Sequence, residues 1–132
     1  MDRDELRRIL KGIVLVTVTP FDENYELNLG QMAEDTEWWI ENGIVEGRGV
    51  LKVASVMGEL PSMTEDEWPQ VIRTSIEAAK GRVPVMGCVH GKDTRRTIDD
   101  ALQMQDMGAV GLQVVAPFEN LPTQDDILRY FE

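Results

Sequence analysis

Two periodicities alternate along this chain, and that alternation is the strongest constraint on its fold. Short apolar runs occupy Ile13 to Val18, Val50 to Val56, Arg82 to Val89 and Gly111 to Ala116. Rich in Val and Ile and bounded by Gly, Pro and Asp, they read as strands. A segment of helical spacing follows each. After Thr19-Pro20-Phe21-Asp22, the stretch Asn28-x-x-Gln31 resembles a capping box. It opens a helix of about four turns that carries Met32, Trp39 and Ile40 and stops at Gly43. After Met57-Gly58-Glu59-Leu60-Pro61, Thr64-x-x-Glu67 caps a helix whose apolar face is Trp68, Val71, Ile72, Ile76 and Ala79, ended by Lys80-Gly81. Pro69 falls one turn inside it, which predicts one lost hydrogen bond and some bending. Asp93 or Thr94 caps a third helix with Ile98, Ala101 and Leu102, stopping near Gly108. Thr123-x-x-Asp126 opens the last, with Ile127, Leu128 and Phe131, and the chain ends inside it.

Strands that are apolar almost throughout belong in a parallel sheet covered on both faces, and the intervening helices give the order βαβαβαβ. Four such strands suit either a small open sheet or half of an eight-stranded barrel, which needs roughly 250 residues. No Gly-x-Gly-x-x-Gly follows the first run, so a dinucleotide-binding unit is disfavoured. The expectation is an α/β half barrel. Residues 1–132 would be the N-terminal half of one (β/α)8 TIM-barrel domain, about its first four β/α units, with no second domain.

Charge and cysteine usage narrow the partners. The 132 residues carry 13 Lys and Arg against 24 Asp and Glu, a formal charge of -11, so nucleic acid and anionic membranes are excluded as partners. Cys88 stands alone, and no Cys/His cluster has metal-ligand spacing, so neither a disulfide, a metal nor another cofactor is expected. The run Ile13-Val14-Leu15-Val16 is far too short to span a bilayer. A soluble, cytoplasmic protein is the expectation.

The loops after the strands carry a resemblance. Val18-Thr19-Pro20-Phe21-Asp22, Gly58-Glu59-Leu60-Pro61-Ser62-Met63-Thr64, Gly81-Arg82-Val83-Pro84-Val85 and the stretch from Val115 to Gln124 occur in one order and spacing. Together they resemble the dihydrodipicolinate synthase/N-acetylneuraminate lyase family of class I aldolases, from about Gly12 to the C-terminus. The resemblance implies a (β/α)8 barrel, a homo-oligomer, and a lyase acting on pyruvate or another 2-oxo acid. It implies a Schiff base between a strand-six lysine and the 2-oxo carbon, with a strand-five tyrosine shuttling protons. Both of those positions lie beyond Glu132.

Within the matched part the chain departs from the family. The usual Gly-Thr-Thr-Gly-Glu, which holds the pyruvate carboxylate, reads Ser55-Val56-Met57-Gly58-Glu59. Val56 has no hydroxyl to relay a proton, while Ser55 offers a displaced one and backbone N–H groups remain for a carboxylate. Ser55, Val56 and Met57 are therefore the expected substrate-binding residues. The usual Pro-Tyr-Tyr-Asn reads Pro117-Phe118-Glu119-Asn120, with Glu119 where the second tyrosine reaches a neighbouring subunit. Ile44-Val45-Glu46-Gly47 resembles an insertion before the second strand. These departures argue against the lysine-pathway synthase reaction and leave a divergent aldolase or hydratase-aldolase.

Individual residues carry further expectations. Lys52 shares strand parity with Ala54 and Val56 and so points into the barrel if Val56 does; desolvation would make it an amine nucleophile. Its structural alternative is an ion pair, or a stem that reaches solvent at the barrel's N-terminal end. His90, at the C-terminal end of the third strand, is an acid/base candidate, or else a loop histidine bonded to nearby backbone. Glu119 is a second acid/base candidate, or a solvated loop charge. Glu59 either orients active-site groups or caps local amides. Gly87-Cys88-Val89-His90-Gly91-Lys92-Asp93 is rejected as a phosphate loop because its glycines are too close and Asp93 replaces the magnesium-holding hydroxyl. Trp38, Trp39 and Trp68 read as barrel packing or subunit contacts, and Cys88 as a small buried hydrophobe. Besides the lyase, two other readings stand: a non-catalytic half barrel that self-associates, and an autonomous Schiff-base enzyme using Lys52.

Overall fold

The computed structural model describes residues 2–90, 93–117 and 122–132. Helix α1 (Arg3–Ile9), which the strand pattern does not announce, begins where Asp2 Oδ1 accepts the amide N–H groups of Asp4 and Glu5. Strand β1 (Ile13–Val16) leads to α2 (Leu29–Glu41), β2 (Gly49–Lys52) and two short 3-10 turns, Val56–Gly58 and Leu60–Ser62. The chain continues through α3 (Glu67–Ala79), β3 (Val85–Val89), α4 (Thr94–Asp106), β4 (Gly111–Val114) and α5 (Gln124–Phe131). All strand pairs are parallel and the sheet order is β1-β2-β3-β4. Consecutive order with helical crossovers is the winding of a barrel rather than of a doubly wound sheet.

One face of the sheet holds the core. Leu51, Val53, Val85 and Val89 pack against Met32 and Ile40 of α2 and Val71 and Ile72 of α3. Burying each such side chain contributes about 1.5–3 kcal/mol. Glycine at position 87 allows this approach, since a Cβ there would run into the Met104 sulfur and lie 3.0 Å from Ile72 Cδ1. Residues of the other parity, Val50, Lys52, Met86, Cys88 and Gln113, lie on the opposite, concave wall, in register Lys52↔Met86 and Cys88↔Gln113.

Several local expectations are corrected. β2 ends at Lys52 rather than Val56, because Ala54 adopts φ 48° and turns the chain; strand parity therefore does not reach Val56. The β1 strand stops at Val16 and β4 at Val114, each two residues short of the apolar run. β1 is not covered on both faces: as an edge strand it leaves Ile13 62% and Val14 52% exposed. Helix α3 starts at Glu67, not after Thr64, so Pro69 is its third residue. At that position an N–H would have no intrahelical acceptor, and the proline loses no hydrogen bond. On α4 the inward face is Thr97, Ala101 and Met104, while Ile98 and Leu102 are exposed.

Candidate functional site

The C-terminal ends of β1 and β2 build one polar corner. After β1, Thr17 N–H donates to the Lys52 carbonyl at 3.1 Å, and Thr19 Oγ1 donates to the Gly58 carbonyl at 2.7 Å. Both threonines are buried. The second bond clamps the 3-10 turn against the β1 exit. Gly58 fits there because a Cβ would lie 3.0 Å from the Thr17 carbonyl oxygen. Inside the turn, Gly58 N–H and Leu60 N–H both donate to the Ser55 carbonyl, at 2.9 and 3.0 Å.

Ser55 is the anomaly of this corner. The residue is 3% exposed, and its Oγ has no hydrogen-bond partner among the described residues. A buried hydroxyl left unpaired costs about 1–3 kcal/mol, so such a group marks strain, the seat of a water or a site for a ligand. No acceptor among the described residues takes the amide N–H of Val56 or Met57 either. Both side chains are exposed, Met57 at 73%. The structure therefore brings Ser55, Val56 and Met57 together at the barrel's C-terminal rim.

Glu59 sits next to the turn with φ 65° and an exposed side chain that makes no hydrogen bond or ion pair among the described residues. Its backbone shapes the turn; its carboxylate neither caps an amide nor orients a neighbour. Glu119 lies outside the described residues, as do Gly91 and Lys92.

His90 is half-buried and borders a different space, a cleft of about 240 Å³ that also meets Thr64, Glu65, Arg96 and Asp100. Ser55 does not line it. There Arg96 bonds Asp100 Oδ1 at 2.8 Å and Glu65 Oε2 at 3.3 Å. Burial raises the Asp100 carboxyl above its ordinary value, against the opposing pull of Arg96.

Lys52 makes no ion pair among the described residues and is half-buried. It is the last residue of β2, at the C-terminal end, and its Nζ donates to Gln113 Oε1 on β4 at 2.7 Å. Its partner is a neutral amide reached across β3, and the bond is exposed, so the stem does reach solvent, at the C-terminal end of the strand rather than the N-terminal one. Cys88, on β3 between them in the sheet, is buried, and burial pushes its thiol up while the Lys52 charge pulls it down. Gln113 was not anticipated, although a glutamine inside Leu112-Gln113-Val114 at matching parity is a legible signal.

Trp68 is core, at 5% exposure. Trp38 is 53% exposed and meets Trp39 edge-on at 4.6 Å, beside a hollow that Val18 and Asp35 also line. Among the described residues no group of three or more His, Cys, Asp or Glu is placed to hold a metal ion, and no helix is long and apolar enough to cross a membrane.

Comparison with known proteins gives a consistent result. The profile of the Dihydrodipicolinate synthetase family matches residues 9–132. The 4-hydroxy-tetrahydrodipicolinate synthase 1 of Halalkalibacterium halodurans is 35% identical over 120 residues, which are 91% of this chain and 39% of that protein. The crystal structure of dihydrodipicolinate synthase from Thermotoga maritima superposes with a TM-score of 0.83 at 30% identity, covering 93% of this chain and 40% of that one. The chloride-inhibited dihydrodipicolinate synthase from Acinetobacter baumannii, solved with pyruvate, gives a TM-score of 0.83 at 27% identity with the same coverage. The chain thus spans about 40% of the length of the relatives it matches. Its four-stranded sheet corresponds to half of their barrel.

Proposed function

The chain belongs to the dihydrodipicolinate synthetase family, and from that premise we propose that it supplies the first four β/α units of a divergent class I lyase, an aldolase or hydratase-aldolase acting on pyruvate or another 2-oxo acid. In such a lyase a lysine amine adds to the 2-oxo carbon and water leaves. The protonated imine then accepts the electron pair released when the adjacent carbon is deprotonated or its bond to a neighbouring carbon breaks. The lysine and its tyrosine partner belong to strands beyond Glu132, so this chain contributes recognition rather than the nucleophile.

The observation that carries the reading is the unpartnered Ser55 Oγ, buried at the rim where barrels place their active sites. A 2-oxo acid's carboxylate accepts from the Ser55 hydroxyl and from the Val56 and Met57 amides, which gives the orphaned hydroxyl a charged acceptor. Val56 and Met57 cannot pass a proton, so proton transfer must use another group. That loss favours a reaction other than the lysine-pathway synthase step. A homo-oligomer and a cytoplasmic setting complete the proposal, the latter supported by a lone cysteine kept as a buried free thiol.

Amide NMR of the 132-residue chain titrated with pyruvate tests this directly. Pyruvate should shift the Val56 and Met57 amides, and Ser55→Ala should weaken its binding about ten-fold, as expected for a hydrogen bond to a charged group. No shift at these amides, or unchanged binding by Ser55→Ala, would remove the basis of the reading.

A further inference from the structure

The concave wall carries a second set of donors that the family's recognition loop does not include. Lys52 is the charged side chain among the described residues at the Val50, Lys52, Met86, Cys88 and Gln113 positions of that wall, and no carboxylate there neutralises it. Its ammonium uses one of three N–H donors on Gln113 Oε1. Because Oε1 faces Lys52, the Gln113 amide nitrogen keeps its two N–H groups for another acceptor, and none among the described residues takes them. The bridge therefore fixes a positive charge beside a free amide donor, both on rigid strands and one strand apart. The pair is exposed, so an acidic group can reach both sets of remaining donors.

We propose that Lys52 and Gln113 form a subsite for a second acidic group of the substrate, which narrows the substrate class to 2-oxo acids bearing a carboxylate at each end. The inference rests on the carboxylate site at Ser55–Met57 proposed above, which takes the carboxylate next to the oxo group. Lys52 and Ser55 are three residues apart, so their Cα atoms lie within about 10 Å. A 2-oxo acid of five or six carbons bridges such a gap. The chain's formal charge of -11 repels a dianion as a whole, so a fixed cation at the point of contact is what such a substrate requires. Lys52 acts here as a specificity-determining contact, remaining an ammonium and forming no covalent bond.

The test is amide and side-chain NMR on the 132-residue chain, titrated separately with pyruvate and with 2-oxoglutarate as probes. The dicarboxylate should bind about ten-fold more tightly, equivalent to about 1.4 kcal/mol, and should shift the Gln113 side-chain NH2 signals that pyruvate leaves unmoved. Lys52→Met should reduce 2-oxoglutarate to the affinity of pyruvate while leaving pyruvate unchanged, and Lys52→Arg should keep the preference. Equal affinity for the two probes, or a preference that survives Lys52→Met, overturns the subsite. If pyruvate leaves the Val56 and Met57 amides unmoved while 2-oxoglutarate still moves Gln113 through Lys52, the subsite stands and the Ser55 reading falls. If neither probe binds, both fall.

Discussion

At the scale of single residues, hydrogen bonds made by short polar side chains set both the caps and the acid behaviour. Asp126 Oδ2 accepts from the Thr123 hydroxyl at 2.7 Å and from the Thr123 amide at 2.9 Å. These two bonds, the hydroxyl first, hold the Asp126 carboxyl below its ordinary value. A carboxyl whose folded pKa is lowered contributes stability above its unfolded pKa and loses it as pH falls through the folded one. Glu37 behaves alike, lowered chiefly by its 2.7 Å bond to Arg82. Asp100 has the opposite sign, so its contribution favours the fold at low pH and disappears as pH rises through its raised value. Carboxyl NMR should therefore show Asp126 titrating below the usual aspartate range, and Thr123→Ala should return it upward with fraying of α5. An Asp126 titration that Thr123→Ala leaves in place would contradict the cap. That cap is fully legible in Thr123-x-x-Asp126, and Asp93 and Asn28 cap their helices as read. Thr64-x-x-Glu67 misleads because only half of it forms, Glu67 accepting from Thr64 N–H at 2.7 Å. Starting α3 after Thr64 would put Pro69 deeper in the helix, where its missing N–H breaks a bond. Ser55 was legible as a polar residue after β2, but its lack of a partner was not, nor was the neighbouring bond from Thr19 to Gly58, a contact across 39 residues.

At the scale of elements, the sheet's edges differ from its centre. β2 and β3 each have strands on both sides and are almost wholly buried, whereas β1 exposes Ile13 and Val14. Apolar edge strands with free N–H and C=O groups recruit further strands. The 132-residue chain should accordingly self-associate as concentration rises, and Val14→Lys should shift light-scattering mass toward the monomer. A monomer at every concentration, or association indifferent to Val14→Lys, would contradict this. Element type and order were legible because the two periodicities do not overlap. Element ends and faces were less so. Ala54 at positive φ ends β2 early, just ahead of the 3-10 turn, and no propensity scale marks an alanine for that role. On α4, Ile98 and Leu102 are more apolar than Thr97, yet Thr97 faces inward with its hydroxyl 2.7 Å from the Tyr130 hydroxyl. That inward face carries a hydrogen bond to α5, which hydrophobic spacing alone does not contain.

At the scale of the molecule, the proposed lyase divides its chemistry between two halves of a barrel. In the proposed lyase the rim after β2 and the Lys52–Gln113 pair would supply donors for carboxylates, and the nucleophilic amine would come from later strands. Family membership, consecutive parallel strands and coverage of 39% of the Halalkalibacterium halodurans synthase agree with half of such a barrel. The proposed lyase and an autonomous enzyme built on Lys52 differ in which lysine would carry the adduct. The decisive measurement is intact mass and peptide mapping of the protein made from its natural gene, after treatment with pyruvate and borohydride. The account predicts a product of about twice this length, as a whole barrel requires, with the reduced adduct on a lysine beyond Glu132 and Lys52 unmodified. No adduct, or an adduct on Lys52, would contradict it.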